Sequence, residues 1–433
     1  MKKSLLSILF WSILAAAFVG PGTVTTAAKS GAGFGTSLLW ALAFSTLATI
    51  FLQEAAARIT LVSGKNLGEL IALQYQRMPW VRWVIFAALA FGCAAYETGN
   101  LLGAVAGYKV MGSVNPTLIL ILITTLSAAV LLIGKTRLIA LIMGLIVALM
   151  GFAFLYVALK SPVDWHQVAI DSFRPGLSNA NSLLVIGLIG TTIVPYNLFL
   201  GSGIGKGQAL GEMRTGIVIA VLLGGIISGA ILIVGTQIQG EFSFEALSRT
   251  LAGKLGPWAR TFFGFGLLAA GWSSAITAPL AAAITGASLF GEKWQAGSTP
   301  FRTTWLAVLL TGLIFGWMNV QPIPAIILAQ ALNGILLPLV TAFLFLAIND
   351  RRFIPPSART SDLANGILLL VVGVTTFLGL HHLISAMGRI IPSISEWPVW
   401  NWLKTLAAFG LMLYLGRQVY FPPHENHDPR ADH

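Results

Sequence analysis

Runs of roughly twenty apolar residues follow one another along the whole chain. About 20 residues rising 1.5 Å each cross the ~30 Å hydrocarbon core of a bilayer. About twelve such runs can be read, with approximate limits 5–29, 35–57, 80–108, 116–134, 137–159, 182–205, 212–238, 259–290, 303–319, 324–347, 362–386 and 398–417. In lipid, each run must satisfy its own N–H and C=O groups, which makes them helices. Only 9% of the 433 residues are charged, against about 25% in an ordinary soluble domain. The expected fold class is therefore an all-α polytopic membrane protein. The third and eighth runs are longer than a bilayer requires and are expected to tilt or to extend beyond it.

The net charge of +11 raises the question of a nucleic-acid partner. The basic residues are scattered through the loops between apolar runs, with no aromatic–basic stripe, so topology accounts for them and no nucleic acid is expected. With the N-terminus in the cytoplasm, roughly 17 of the 26 Lys and Arg fall on that side, among them Lys2, Lys3, Arg58, Lys65, Arg77, Lys135, Arg214 and Arg351. Lys109, Lys160 and Arg174 fall on the other. This places both termini of a multi-pass cell-membrane protein in the cytoplasm. The opening Met1-Lys2-Lys3 and Ser4–Val19 resemble a signal peptide but run on without a cleavage site. Residues 241–260 read as a short amphipathic helix on the external face, and 421–433 as a disordered cytoplasmic tail. The single Cys93 supports neither an intramolecular disulfide nor a cysteine metal site. No nucleotide-binding glycine loop or Ser/His/Asp set is present, so an enzyme is not expected. A monomer is expected.

Two apolar runs carry helix breakers. Gly20-Pro21-Gly22-Thr23 interrupts the first, and Ile193-Val194-Pro195-Tyr196-Asn197 interrupts the sixth, about 175 residues later. Unwound backbone inside a bilayer is tolerated where it lines a cavity, and paired breaks in corresponding halves mark a transporter's binding site. The spacing predicts a 5+5 inverted repeat: residues 1–160 form the first half, 161–348 the second, and 349–420 two additional helices.

The residues flanking these breaks resemble the Nramp (natural resistance-associated macrophage protein) family of divalent-metal transporters. Four stretches carry the resemblance: Leu52-Gln53-Glu54-Ala55-Ala56-Ala57-Arg58 with Gly64-Lys65-Asn66-Leu67-Gly68-Glu69; Pro195-Tyr196-Asn197-Leu198-Phe199-Leu200-Gly201-Ser202; Gly271-Trp272-Ser273-Ser274-Ala275-Ile276-Thr277; and Ala329-Gln330 through Leu337-Pro338. The resemblance implies a LeuT-like fold. It also exposes departures. The family's first break reads Asp-Pro-Gly-Asn, so its metal-binding aspartate falls on Gly20 and its asparagine on Thr23. Its sixth-helix break reads Met-Pro-His-Asn, so the thioether falls on Val194 and the histidine on Tyr196.

Manganese and ferrous ions are held by carboxylate, imidazole and thioether groups, and no metal site of that kind is expected here. The weak candidates Thr23, Asn197 and Gln330 are neutral. The unwound N–H groups and the positive ends of half-helices suit a carboxylate instead. The first expectation is thus a secondary transporter of a small organic solute such as an amino acid, bound by Gly20, Gly22, Thr23, Val194, Tyr196, Asn197, Trp272, Gln330 and Asn333, with Phe91 shaping the pocket. The alternative is a divalent-cation transporter of magnesium or manganese type that takes its ion hydrated. A sensor retaining the fold without transport is a third reading.

No cofactor is expected beyond a coupling proton or sodium ion. Glu97 lies inside the third run, where an ionisable residue is a functional candidate by default. The resemblance places a proton-linked acid at Glu97, while a second acid becomes Asn100. Ser273, Ser274 and Thr277 offer oxygens to a sodium ion, although routine helix packing is the better reading of them. Glu54 and Arg58 have the spacing of an intrahelical ion pair. His381-His382 reads as a surface pair.

Overall fold

The computed structural model describes residues 19–112, 115–134, 136–204, 209–318, 320–390 and 399–421. Helices and their connections make up these segments, with no strand among the described residues. In chain order they are α1 (Pro21–Phe34), α2 (Leu39–Ser63), α3 (Leu67–Gln74), α4 (Pro79–Met111), α5 (Pro116–Ile133), α6 (Thr136–Leu159), α7 (Trp165–Asp171), α8 (Ser182–Thr192), α9 (Pro195–Ile204), α10 (Leu210–Gly235), α11 (Phe244–Leu255), α12 (Trp258–Phe290), α13 (Thr299–Trp317), α14 (Pro322–Ile348), α15 (Asp362–Ile390) and α16 (Val399–Tyr420). Among the described residues, nine helical spans are long and apolar enough to cross a membrane. Helices α13 and α16 stand where the ninth and twelfth runs were expected but are not among the nine. The start of the first run and the tail from 422 onward lie outside the described residues.

Helices α4 and α12 have 33 residues each, about 50 Å at 1.5 Å per residue, which agrees with the expected excess length. Helix α2 continues to Ser63 rather than ending at 57, and stops at Gly64, whose φ of 69° is open to glycine at no steric cost. The stretch after it, expected as a loop, contains α3. Asn66 and Glu69 form a reciprocal capping box there, with both bonds at 2.9 Å. The amphipathic segment forms α11, capped by Ser243 and burying Phe244, Leu247 and Leu251.

Close backbone approach holds the helices together. A Cβ on Gly31 would sit 2.0 Å from the Leu232 carbonyl oxygen, and one on Gly235 2.3 Å from that of Ala28, so α1 and α10 meet backbone to backbone. Gly190 of α8 meets the Gln330 carbonyl of α14 in the same way. Small residues at such contacts are the usual solution in lipid, where helices gain from packing rather than from escaping water.

Polar links tie the remaining elements. Glu54 accepts from Arg58 Nη2 at 2.5 Å, as the spacing predicts, and also from Arg214 Nε of α10 at 2.8 Å. Thr60 donates to the Ser202 carbonyl, and the Leu67 N–H donates to Ser202 Oγ at 3.2 Å, fixing the end of α9 to α2 and α3. His381 and His382 are not a surface pair. His382 is buried, and His381 accepts from Lys404 Nζ at 3.0 Å while stacking on Phe377. Helix α16 covers this face of α15.

Gly31→Ala is expected to destabilise the protein by about 1–3 kcal/mol, because its methyl meets backbone that cannot give way. Gly33→Ala has nothing within 4 Å of the new methyl and is expected to be neutral or to stabilise by up to ~1 kcal/mol. Thermal unfolding of both variants in one detergent checks the pair.

Candidate substrate site at the paired helix breaks

The second expected break is present, and at the first a helix starts where expected, while the stretch before Val19 lies outside the described residues. Gly20 is extended at φ −93° and ψ 178°, and Pro21 opens α1 without needing an N–H donor. Helix α8 ends at Thr192, Ile193 leaves helical geometry at φ −97° and ψ 85°, and Pro195 opens α9. The first half-helix points its N-terminus toward the first break, and α8 brings its C-terminal carbonyls to the second. The two termini therefore present opposite partial charges.

A hydroxyl pair joins the two breaks. Thr23 Oγ1 lies 3.0 Å from Thr191 Oγ1, within the first turn of α1 and the last turn of α8. The glycines give neighbouring groups access. A Cβ on Gly20 would stand 3.6 Å from Ser274 Oγ and 3.9 Å from the Tyr96 hydroxyl, ordinary contact distances. A Cβ on Gly22 would stand 2.2 Å from Gln330 Nε2, so Gly22 is the position that admits the glutamine. Gln330 is 1% exposed, and its Oε1 has no hydrogen-bond partner. Gly103 meets Pro21 in the same manner, setting α4 against the start of α1.

The structure therefore brings Gly20, Gly22, Thr23 and Gln330 together. Val194 is buried at the second break, and its carbonyl accepts from the Asn197 N–H at 3.0 Å. Tyr196 packs edge-on against Tyr96, with ring centroids 5.7 Å apart. Asn197 is half-buried in the first turn of α9. Asn333 faces elsewhere: its Oδ1 lies 2.8 Å from the Cβ position of Gly92 on α4. Trp272 is a correction, because its side chain packs against the separate cluster of Leu101, Ile119 and Leu120. Phe91 is a second one, being 58% exposed on the outer surface of α4. Among the small hydroxyls, Ser273 and Thr277 bond to carbonyls of their own helix, and Ser274 alone approaches a break.

Sequence reasoning missed Thr191, and with it the site role of the Tyr96 hydroxyl. The available signal was position: Thr191 stands three residues before Val194, in the final turn ahead of the second break. Glu97 is fully buried. It faces α13, where a Cβ on Gly312 would sit 2.8 Å from its Cγ. Its hydrogen-bonding neighbour on the same helix is the Asn100 side chain, three residues on.

The groups at the breaks are thus hydroxyls, an amide and backbone carbonyls, all neutral and nearly all oxygen. No cluster of three or more His, Cys, Asp or Glu able to hold a metal occurs among the described residues.

The Nramp pattern, described as natural resistance-associated macrophage protein-like, matches residues 12–385. The divalent metal cation transporter MntH of Granulibacter bethesdensis is 25% identical over 414 residues, covering 89% of this chain and 90% of that protein. MntH of Caldanaerobacter subterraneus subsp. tengcongensis is 24% identical over 368 residues, covering 80% and 86%. The manganese transporter of Eremococcus coleocola, solved with an aromatic bis-isothiourea substituted compound, superposes with a TM-score of 0.74 at 19% identity over 97% of this chain and 94% of that one. Mhp1, a nucleobase-cation-symport-1 family transporter with bromovinylhydantoin bound, superposes at 0.54 with 17% identity over 95% and 93%. At these identities the superpositions speak for the fold alone, and it is the LeuT-like fold expected from the sequence. With the pattern spanning most of its 433 residues, the chain belongs to the Nramp family of integral membrane transporters.

Proposed function

We propose that the protein is a secondary transporter of a divalent metal cation, which it takes up with much of its hydration water at the paired breaks. The relatives are metal cation transporters by name, and this favours the cation alternative over the organic solute first expected from the altered motifs. The observation that carries the reading is the donor set. Thr23, Thr191, Ser274, Tyr96 and Gln330 surround the first break with neutral oxygens and an amide, without thioether, imidazole or carboxylate. Hard cations prefer oxygen ligands, and magnesium dehydrates reluctantly and keeps several waters. Hydroxyls and amides can hold those waters as donors or acceptors. A softer, dehydrated ion would need the charge and sulfur that Gly20 and Val194 no longer supply.

Residues 1–160 and 161–348 act in this proposal as inverted halves rocking about the breaks, with both termini in the cytoplasm. Glu97 carries the coupling proton. It adjoins Tyr96 in sequence, it is fully buried against α13, and its neighbour Asn100 is neutral, so it is the ionisable group whose surroundings change as α4 and α13 move.

Uptake into proteoliposomes tests the substrate. Magnesium is expected to enter saturably and manganese poorly. Uptake of neither ion, with amino acids or small carboxylates bound instead, would return the organic-solute reading. Gly20→Asp restores a carboxylate at a position with room for its Cβ, and is expected to tighten manganese binding about tenfold or more, since ligand charge count tunes cation affinity. An unchanged manganese affinity would mean the ion does not pass this break.

Thr191→Val removes one hydroxyl from the pair joining the breaks, and is expected to weaken cation binding about two- to tenfold. Isothermal titration against magnesium measures it.

Glu97→Gln is expected to abolish the acceleration of uptake by an inward proton gradient while leaving downhill magnesium flux measurable. A full response to the gradient in that variant would remove Glu97 from the coupling path, and dependence on external sodium would replace the proton.

A further inference from the structure

A cavity of about 600 Å³ opens between α2, α15, α16 and the segment following α7, well apart from the helix breaks. Its walls are apolar, built largely by Phe44, Leu47, Phe173, Phe377, Phe409 and Met412. Leu47, Phe173 and Phe409 are each more than half exposed, so the cavity faces outward, on the side a bilayer covers. Along α16 the lining runs from Thr405 to Met412, a rise of about 10 Å. That shape is a slot rather than a flat patch. Gly373 lets α15 and α16 close one side of it, because a Cβ there would meet Met412 Sδ at 2.2 Å.

A cation stands at one end of this slot. Lys404 lies one residue before Thr405 and is only 5% exposed. Its Nζ donates to His381 Nδ1 at 3.0 Å and sits 5.7 Å from the ring centroid of Phe377, which itself lines the slot. An imidazole that accepts from an ammonium is neutral, and a phenyl ring offers only its quadrupole. No carboxylate pairs with Lys404 among the described residues. An ammonium held out of water without a counter-ion is costly, and a bound anion relieves that cost.

We propose that this slot is a binding site for one anionic phospholipid, with an acyl chain lying between α2 and α16 and the headgroup phosphate over Lys404. Apolar walls on a membrane-facing slot fit a hydrocarbon chain, and the cation at its end, which has no carboxylate partner among the described residues, selects the charge of the headgroup. A zwitterionic lipid carries its own cation beside the phosphate and satisfies Lys404 less well. Lys404 stands five residues into α16, close behind Trp400 and Trp402, which are residue types concentrated where a membrane meets water. That is the depth at which a lysine reaches for phosphate while its stem stays in the apolar layer.

The test is native mass spectrometry of the detergent-solubilised full chain, incubated with phosphatidylglycerol and phosphatidylcholine carrying identical acyl chains. The wild type is expected to retain phosphatidylglycerol about fivefold over phosphatidylcholine, the preference one lysine gives. Lys404→Gln should bring the two lipids to parity while keeping the phosphatidylcholine level. Ala43→Phe, which places a ring inside the slot, should reduce both. Parity in the wild type, or an undiminished preference in Lys404→Gln, would overturn the site. Wild-type retention of both lipids by a folded Ala43→Phe protein would overturn the placement of the acyl chain.

Discussion

Backbone amides inside a bilayer have no water to turn to, and the whole architecture follows from where this chain breaks that rule. At Gly20 the backbone is extended and α1 starts only at Pro21, and at Ile193–Val194 the ladder of α8 stops, both within apolar surroundings. The freed groups survive because other helices close over them. Helix α4 meets Pro21 through Gly103, α14 meets α8 through Gly190, and α10 meets α1 through Gly31 and Gly235. Gly31, Gly190 and Gly235 each remove a side chain where two backbones must nearly touch, and Gly103 makes room for the Pro21 ring. A helix interior gains nothing from glycine locally, at roughly 1 kcal/mol against alanine. Its repeated use at these contacts reflects packing around the breaks rather than helix formation.

The same closeness determines the chemistry. With the breaks drawn together, Thr23 and Thr191 come within 3.0 Å, although 168 residues separate them. The site that results has little fixed charge, and Glu97 stands on α4, against α13. A bare divalent ion brought into such surroundings loses solvation that neutral oxygens replace poorly. A hydrated ion keeps its first shell and asks only for hydrogen bonds. In the proposed reading, Gly20 and Val194 in place of an aspartate and a thioether change what the site can hold without disturbing its backbone, because Pro21 and Pro195 still open α1 and α9.

Much of this was legible in the sequence. Run length set the helices, and Gly20-Pro21-Gly22 and Pro195 marked the breaks through proline's missing donor. The limits appear where helical phase decides. Ser273 and Ser274 look equivalent in sequence, yet one residue is 100° of rotation, which turns Ser274 toward Gly20 and leaves Ser273 bonded to its own helix. Trp272 follows Gly271 by the same 100° and faces α4 and α5 instead of the breaks. Thr191 carries no charge and no motif, so only the approach of α1 reveals it. The histidines read as a surface pair because nothing local to 381 and 382 announces that α16 will lie across them. Helix α3 was hidden for a related reason, since eight residues are too few to display a period and only the Asn66–Glu69 capping box signals its start.

Helix α2 connects the two parts of the molecule that hold ligands in this account. Thr49 Oγ1 donates to the Thr192 carbonyl at 3.4 Å, and Gln53 lies against Gly201, so one face of α2 supports the second break and the helix beyond it. One to three turns earlier, Trp40, Phe44 and Leu47 form a wall of the apolar slot. An acyl chain in the slot and a cation at the breaks therefore press on the same rigid element from different positions. A ligand shifts a conformational equilibrium only as far as its contacts differ between the two states. If α2 moves against α15 and α16 during transport, the slot changes width and the lipid acquires such a difference. If α2 stays fixed to them, the lipid contributes stability and leaves the transport equilibrium where it was. The geometry of one helix thus determines whether lipid composition reaches the substrate site.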